Sequence, residues 1–253
     1  MLLPLLLAAA APADGSVIAL VKDERGRQCL PDKSLCLQLS AAEDNAVGGL
    51  LAIYASENAA DAEQPLPPLA DGDAPELWPT LISVRSLPGD APGTRRYLAG
   101  ILGRQSTMYS GGGGSAARLH LYEFVTGANP ALGAELLDLA WDGSLMIRAC
   151  FSEKDMKDRL EACHDEYDFT STLSAAPADG TKLPALTYRA VATTFPRTSR
   201  RSEDNSAAKL KRADLVRAED PACTYERTLH YNAATARYEM DRPLPDCSDY
   251  TTP

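Results

Sequence analysis

Leu137-Asp138-Leu139-Ala140-Trp141-Asp142-Gly143-Ser144-Leu145-Met146-Ile147-Arg148-Ala149-Cys150 alternates apolar and polar residues on both sides of an Asp-Gly pair. Leu137, Leu139 and Trp141 share one face of the first arm, and Leu145, Ile147 and Ala149 share one face of the second. Period-two alternation marks a half-buried strand, because successive side chains leave opposite faces of the backbone. Asp-Gly suits a type I′ turn, whose central residues both need positive φ. The stretch therefore predicts a hairpin turning at Asp142-Gly143, with its second arm running into Cys150.

The same period recurs on both sides. Downstream, Tyr167, Phe169, Ser171 and Leu173 alternate, and Leu186 to Phe195 is strand-like. Residues 197–206 read as a polar loop, and Thr224–Tyr231 with Arg237–Met240 as a last hairpin. Upstream, Tyr97–Tyr109 and Ala117–Val125 form the arms of a hairpin around a glycine run. Residues 80–87, 35–39 and 16–22 read as further strands. Ser40-Ala41-Ala42-Glu43 has capping-box form, so a short helix there competes with a buried strand over 47–54. From about Ser56 to Pro79 the chain is rich in Pro, Asp, Ala and Glu, and Pro65, Pro67, Pro68 and Pro75 deny it a ladder or a helix, which predicts an extended surface loop. One helix is expected at 153–162. Ser152 caps it, Glu153 and Asp155 complement its dipole, and Met156, Leu160 and Cys163 would share a buried face.

These elements predict a mainly β fold: an antiparallel sandwich or open barrel with one or two short helices, α+β being the alternative. Residues 14–253 read as one domain, with a possible lobe boundary near 60–78.

The chain opens Met1-Leu2-Leu3-Pro4-Leu5-Leu6-Leu7-Ala8, with alanines to Ala11. This apolar run is shorter than the roughly 20 residues that span a bilayer, and small residues follow it, as a signal peptide requires. Residues 1–13 are expected to be a leader cut after Ala13, and the protein to be periplasmic or secreted and not membrane-spanning. The six cysteines fall into three local pairs, predicting Cys29–Cys36, Cys150–Cys163 and Cys223–Cys247. Loop entropy gives each bridge about 2.5–3.5 kcal/mol as an upper value. Zinc-type spacing is missing and the three histidines are scattered, so no metal or other cofactor is expected. Asp71-Gly72-Asp73 falls short of a calcium loop. The net charge of −10 disfavours nucleic acid and anionic lipid and favours a cationic protein or envelope component as partner.

Three features carry possible chemistry. Tyr109-Ser110-Gly111-Gly112-Gly113-Gly114-Ser115, with Arg118 beyond it, is a candidate binding loop, because side-chain-free backbone lets a partner approach closely. The plainer account is a flexible connection. Cys163-His164-Asp165-Glu166-Tyr167-Asp168 sets acids around a histidine, the raw material of acid–base catalysis, and His120 is a second candidate. On a strand, however, His164, Glu166 and Asp168 would simply face solvent while Asp165, Tyr167 and Phe169 take the other side. Arg197-Thr198-Ser199-Arg200-Arg201 is a basic island that reads either as an anion seat or as a solvated loop.

Ile147-Arg148-Ala149-Cys150-Phe151-Ser152-Glu153, Cys163-His164-Asp165-Glu166-Tyr167 and Pro243-Leu244-Pro245-Asp246-Cys247-Ser248-Asp249-Tyr250 resemble segments of uncharacterised exported proteins of sphingomonad-type Gram-negative bacteria. The resemblance covers about half the chain. It implies export and brings no activity or catalytic residue. The expected function is non-enzymatic binding outside the cytoplasm. The alternative is a periplasmic hydrolase using His164 or His120 with nearby carboxylates, among them Asp165 and Glu166.

Overall fold

The computed structural model describes residues 13–41, 49–55, 60–66, 69, 75–177 and 183–253. The expected leader, apart from Ala13, and Asp71-Gly72-Asp73 lie outside the described residues. The protein is mainly β, with two antiparallel sheets and two short helices.

Strand β1 (Val17–Ala19) belongs to the large sheet. Strands β2 (Val21–Lys22), β3 (Gln28–Cys29), β4 (Cys36–Ala41), β5 (Gly49–Tyr54) and β6 (Ala62–Pro65) then form the small sheet as a meander. The chain returns to the large sheet with β7 (Glu76–Val84), β8 (Arg96–Tyr109), β9 (Gly112–Val125), β10 (Ala131–Arg148), β11 (His164–Ala176) and β12 (Ala185–Phe195). The short β13 (Ala218–Glu219) flanks β12, and β14 (Tyr225–Asn232) with β15 (Arg237–Met240) ends the sheet. Helix α1 (Glu153–Asp158) links β10 to β11, and α2 (Ser248–Thr251) follows β15.

Strands β7 to β9 are shared by two cores. On one face of β8, Tyr97, Ala99 and Ile101 pack with Leu37, Leu51 and Ile53 of the small sheet and with Tyr122 and Phe124 of β9. On the other, Leu98 and Leu102 pack with Leu119, Leu121, Leu139, Phe169 and Tyr188. Double burial explains why Tyr97-Leu98-Ala99-Gly100-Ile101-Leu102 is apolar without alternation. Each fully buried Leu or Phe contributes about 1.5–3 kcal/mol, so these strands anchor both layers.

Strand β10 overturns the predicted hairpin. It is one strand of 18 residues, and Asp142-Gly143 lie inside it, paired to Ala117 and Ala116 of β9 and to Thr170 and Phe169 of β11. The glycine serves a different need: a Cβ at Gly143 would overlap the carbonyl oxygen of Tyr250, because α2 lies directly over the strand. The β9–β10 register slips between Ala140 and Asp142, a bulge that sharpens the local twist. Beside it, Trp141 meets Trp78 edge-on at 5.5 Å.

Other expectations change for equally local reasons. The first strand divides at Leu20, whose N–H donates to Pro79 O (3.0 Å), so Val17 and Val21 enter different sheets. Ser40 and Ala41 continue β4 rather than capping a helix, and Ala42 and Glu43 lie outside the described residues. The proline-rich segment contains β6. That strand is a sheet edge and Pro65 is its last residue, where no N–H is required. Strand β7 already starts at Glu76, and Pro79 falls in the irregular stretch between Leu77 and Leu81. In α1, Ser152 Oγ accepts from Asp155 N (3.2 Å), as capping predicts. The helix then stops at Asp158, because Leu160 and Glu161 adopt φ of 51° and 66°. Met156 and Leu160 are therefore exposed, and Arg159 takes the buried position.

All three predicted disulfides are present, and the described residues contain no free cysteine. Replacing Gly143 with Ala should cost about 1–3 kcal/mol, because the added methyl must push α2 off the strand. The exposed neighbour Ser144→Ala should leave stability unchanged. Urea denaturation of both variants checks this pair of outcomes.

Candidate functional site

Past the bulge, one face of β8 to β11 is open to solvent. Its rows follow from the register: Met108, Gly113, Met146 and Glu166 form one, and Ser106, Ser115, Ser144 and Asp168 the next. Arg148 and His164 pair at the far end. The glycine run is thus strand rather than loop. Only Ser110 and Gly111 make the turn, with Gly111 at φ 100°, while Gly112, Gly113, Gly114 and Ser115 pair with both β8 and β10. Small residues are needed at two of these positions. A Cβ at Gly112 would overlap Met146 O, and one at Gly114 would come within 2.8 Å of Leu145 Cδ1. Gly113 leaves a bare strip between two methionines. Met108 is 91% exposed, Met146 44% and the nearby Phe151 66%. The Arg148 guanidinium lies 5.2 Å from the Phe151 ring centre, and Tyr109 donates its hydroxyl to Met146 O (3.2 Å).

His164 and Glu166 reach this same face. With Leu160, Phe195 and Leu215 they line an open depression of about 370 Å³. Glu166 and Asp168 are both held by Arg217. Asp165 points the other way and is buried, as strand parity predicted. Arg159 Nη2 donates to its Oδ1 at 2.5 Å, and Ser199 Oγ donates to the same oxygen at 2.6 Å. Arg159 also donates to Ala162 O (2.9 Å) and to Asn205 O. Asp165 is therefore an anchor for α1 and the 197–206 loop, not a partner of His164.

His120 lies on the opposite face of β9 from Gly113. Its Nδ1 is 2.9 Å from Glu135 Oε2 and 3.9 Å from Asp138 Oδ1. Arg237 holds the second oxygen of Glu135 (2.7 Å), and Arg118, expected beside the glycine run, instead donates to Asp138 (2.8 Å). Tyr122, two residues along the same face, is buried, and its hydroxyl has no hydrogen-bond partner among the described residues. Desolvation, with Glu135 and Asp138 adding to it, pushes the Tyr122 phenol up to about 12. The imidazole lies beside Gly103, where a Cβ would stand in ordinary contact with His120 Nε2 at 3.6 Å and closer to Leu69 Cδ1 at 3.2 Å. A carboxylate on Nδ1 orients the ring and presents Nε2, an arrangement suited to proton transfer.

Sequence reasoning missed Arg159, Glu135, Asp138 and Arg237. The one available trace was a basic residue at 159, where a helix face was expected to stay apolar. Asp23 and the sulfurs of Cys29 and Cys36 lie within 4.8 Å of one another, but both sulfurs are committed to a disulfide.

Asp165→Ala should destabilise the protein by about 3–5 kcal/mol, because it strands a buried guanidinium. It should also open residues 197–206 to protease. His164→Ala should change stability by no more than about 0.5 kcal/mol, as exposed substitutions do. Denaturation and limited proteolysis separate the two. In comparisons with known proteins, the chain matches no family model, no curated protein and no solved structure.

Proposed function

We propose that this is an exported protein, periplasmic or secreted, that acts by binding a partner protein on the open face of β8 to β11. The three disulfides support an oxidising compartment, where such bridges persist. No described helix is long and apolar enough to cross a membrane. The observation that carries the reading is the 91% exposure of Met108 on a strand paired along its length, with Met146 and Phe151 also exposed. Contiguous exposed apolar side chains mark interaction surfaces, and methionine adapts to the shape of its partner. The glycine and serine floor keeps the face shallow, which suits a protein surface better than a small molecule.

The net charge of −10 steers cationic proteins toward the chain. A basic cell-wall hydrolase is the concrete partner proposed, with the chain as its inhibitor. Binding and inhibition assays with a basic lysozyme, at low and at physiological salt, test it. The expected result is an interaction that the double variant Met108→Asp Met146→Asp weakens about tenfold or more, as loss of central apolar contacts does. No interaction at either salt removes this partner.

The His120–Glu135 contact favours a second reading, a hydrolase with His120 as general base and Glu135 as its orienting group. In a screen of ester, amide and glycoside substrates, His120→Ala would then abolish whatever turnover the native protein shows. Equal turnover in both proteins would exclude His120.

A further inference from the structure

The overall charge conceals a segregation. Residues 197–217 carry seven basic and three acidic side chains, whereas the rest of the chain carries eighteen basic and thirty-two acidic. Arg197, Arg200, Lys209, Lys211 and Arg212 are exposed, and none of the five enters an ion pair among the described residues. The segment holding them is fixed in place. Ser199 bonds to buried Asp165, Arg197 N donates to Asp214 O (3.0 Å), and Leu210 N donates to Asp158 O of α1 (2.9 Å). A buried ion pair is a weak source of net stability, and an excursion of roughly 20 residues with little regular structure is uncommon in a compact domain unless it is used.

Apolar side chains stand beside these cations. Met156 and Leu160, on and just after α1, are 47% and 42% exposed, and Val216 is 46% exposed. Leu160 and Leu215 line the same depression, which places the two segments against each other. Two of the three acids of α1 are engaged locally: Asp158 pairs with Lys154 (2.8 Å), and Asp155 accepts from Phe151 N (3.0 Å), while Glu153 and, just past the helix, Glu161 are exposed. Basic side chains interspersed with exposed apolar ones are the composition of surfaces that rest in a membrane interface.

We propose that α1 and the 197–217 segment form a peripheral docking surface for a lipid bilayer carrying anionic headgroups. Composition alone points away from anionic lipid, but charge acts locally. At physiological ionic strength the Debye length is about 8 Å, so a bilayer touching this surface senses the nearby cations and little of the acids elsewhere. The exposed apolar side chains favour lipid over an acidic protein, since they have acyl chains to enter. The docking surface adjoins the open face of β8 to β11 at the depression that Leu160 and Leu215 line with Glu166, but it uses neither Met108 nor Met146, and the proposal does not rest on the partner reading.

Sedimentation of the intact, disulfide-bonded protein with phosphatidylcholine vesicles, with and without phosphatidylglycerol, tests the proposal. Binding is expected only to the anionic vesicles and should weaken with added salt. Each charge reversal among Lys209→Glu, Lys211→Glu and Arg212→Glu should lower the partition coefficient about 25-fold, roughly fivefold for the cation lost and fivefold for the acid gained. Met156→Ser with Val216→Ser should lower it further, and Lys33→Glu in the turn between β3 and β4 should leave it unchanged. Near-UV circular dichroism confirms that each variant is folded, and Lys209→Gln with Lys211→Gln serves as a milder pair. Absence of vesicle binding, equal binding to neutral vesicles, or a triple reversal that behaves like the native protein would overturn the proposal.

Discussion

Burial of both faces of β7, β8 and β9 is the constraint from which the architecture follows. Leu98 and Ile101 are neighbours in one strand, yet they belong to different cores, so neither layer can close unless the other is present. The small sheet cannot stand by itself either. Its inward residues Leu37, Leu51 and Ile53 find their partners on β8 and β9. Two side-chain bonds reinforce the join, since Gln64 of edge strand β6 both donates to and accepts from the backbone of Leu132 on β10. Strand β10 then carries the large sheet through its bulge toward β11 and β12, where the second core continues.

A consequence of this arrangement is the separation of polar groups that lie close in sequence. Asp165 and Glu166 are adjacent, but one is sealed beneath Arg159 and the other lies in the open with Arg217. His120 and Gly113 share a strand, yet they address different surroundings. Polar groups of β9 to β11 therefore fall into three separate settings: an anchor for a loop, an open sheet face, and a histidine–carboxylate contact on the opposite face of β9.

Much of the strand content was legible in the sequence, because alternation such as Tyr167, Phe169 and Leu173 reports a face directly. The local cysteine pairs were legible for the same reason, their short spacing leaving few competing partners. Residues whose identity is set by a distant contact were not. Gly143 imitated a turn residue, whereas its requirement comes from the backbone of α2 lying over it. Gly112 and Gly114 imitated a loop, whereas they admit Met146 and Leu145 of the adjoining strand. Met156 and Leu160 had helical spacing, but the helix unwound before the spacing could matter. The candidate site was less legible still. Glu135 and Asp138 reach His120 only through the β9–β10 register, with its bulges, and that register is a property of the folded sheet.

The bridges span sequence separations of 7, 13 and 24 residues, and each ties a segment to its own near neighbour. None crosses from the small sheet to the C-terminal half. Oxidation can therefore proceed in order as the polypeptide emerges into an oxidising space, each thiol meeting its mate before the next pair arrives. Such a chain offers each thiol few wrong partners, and its crosslinks join segments that are neighbours both in the order of synthesis and in the finished sheet.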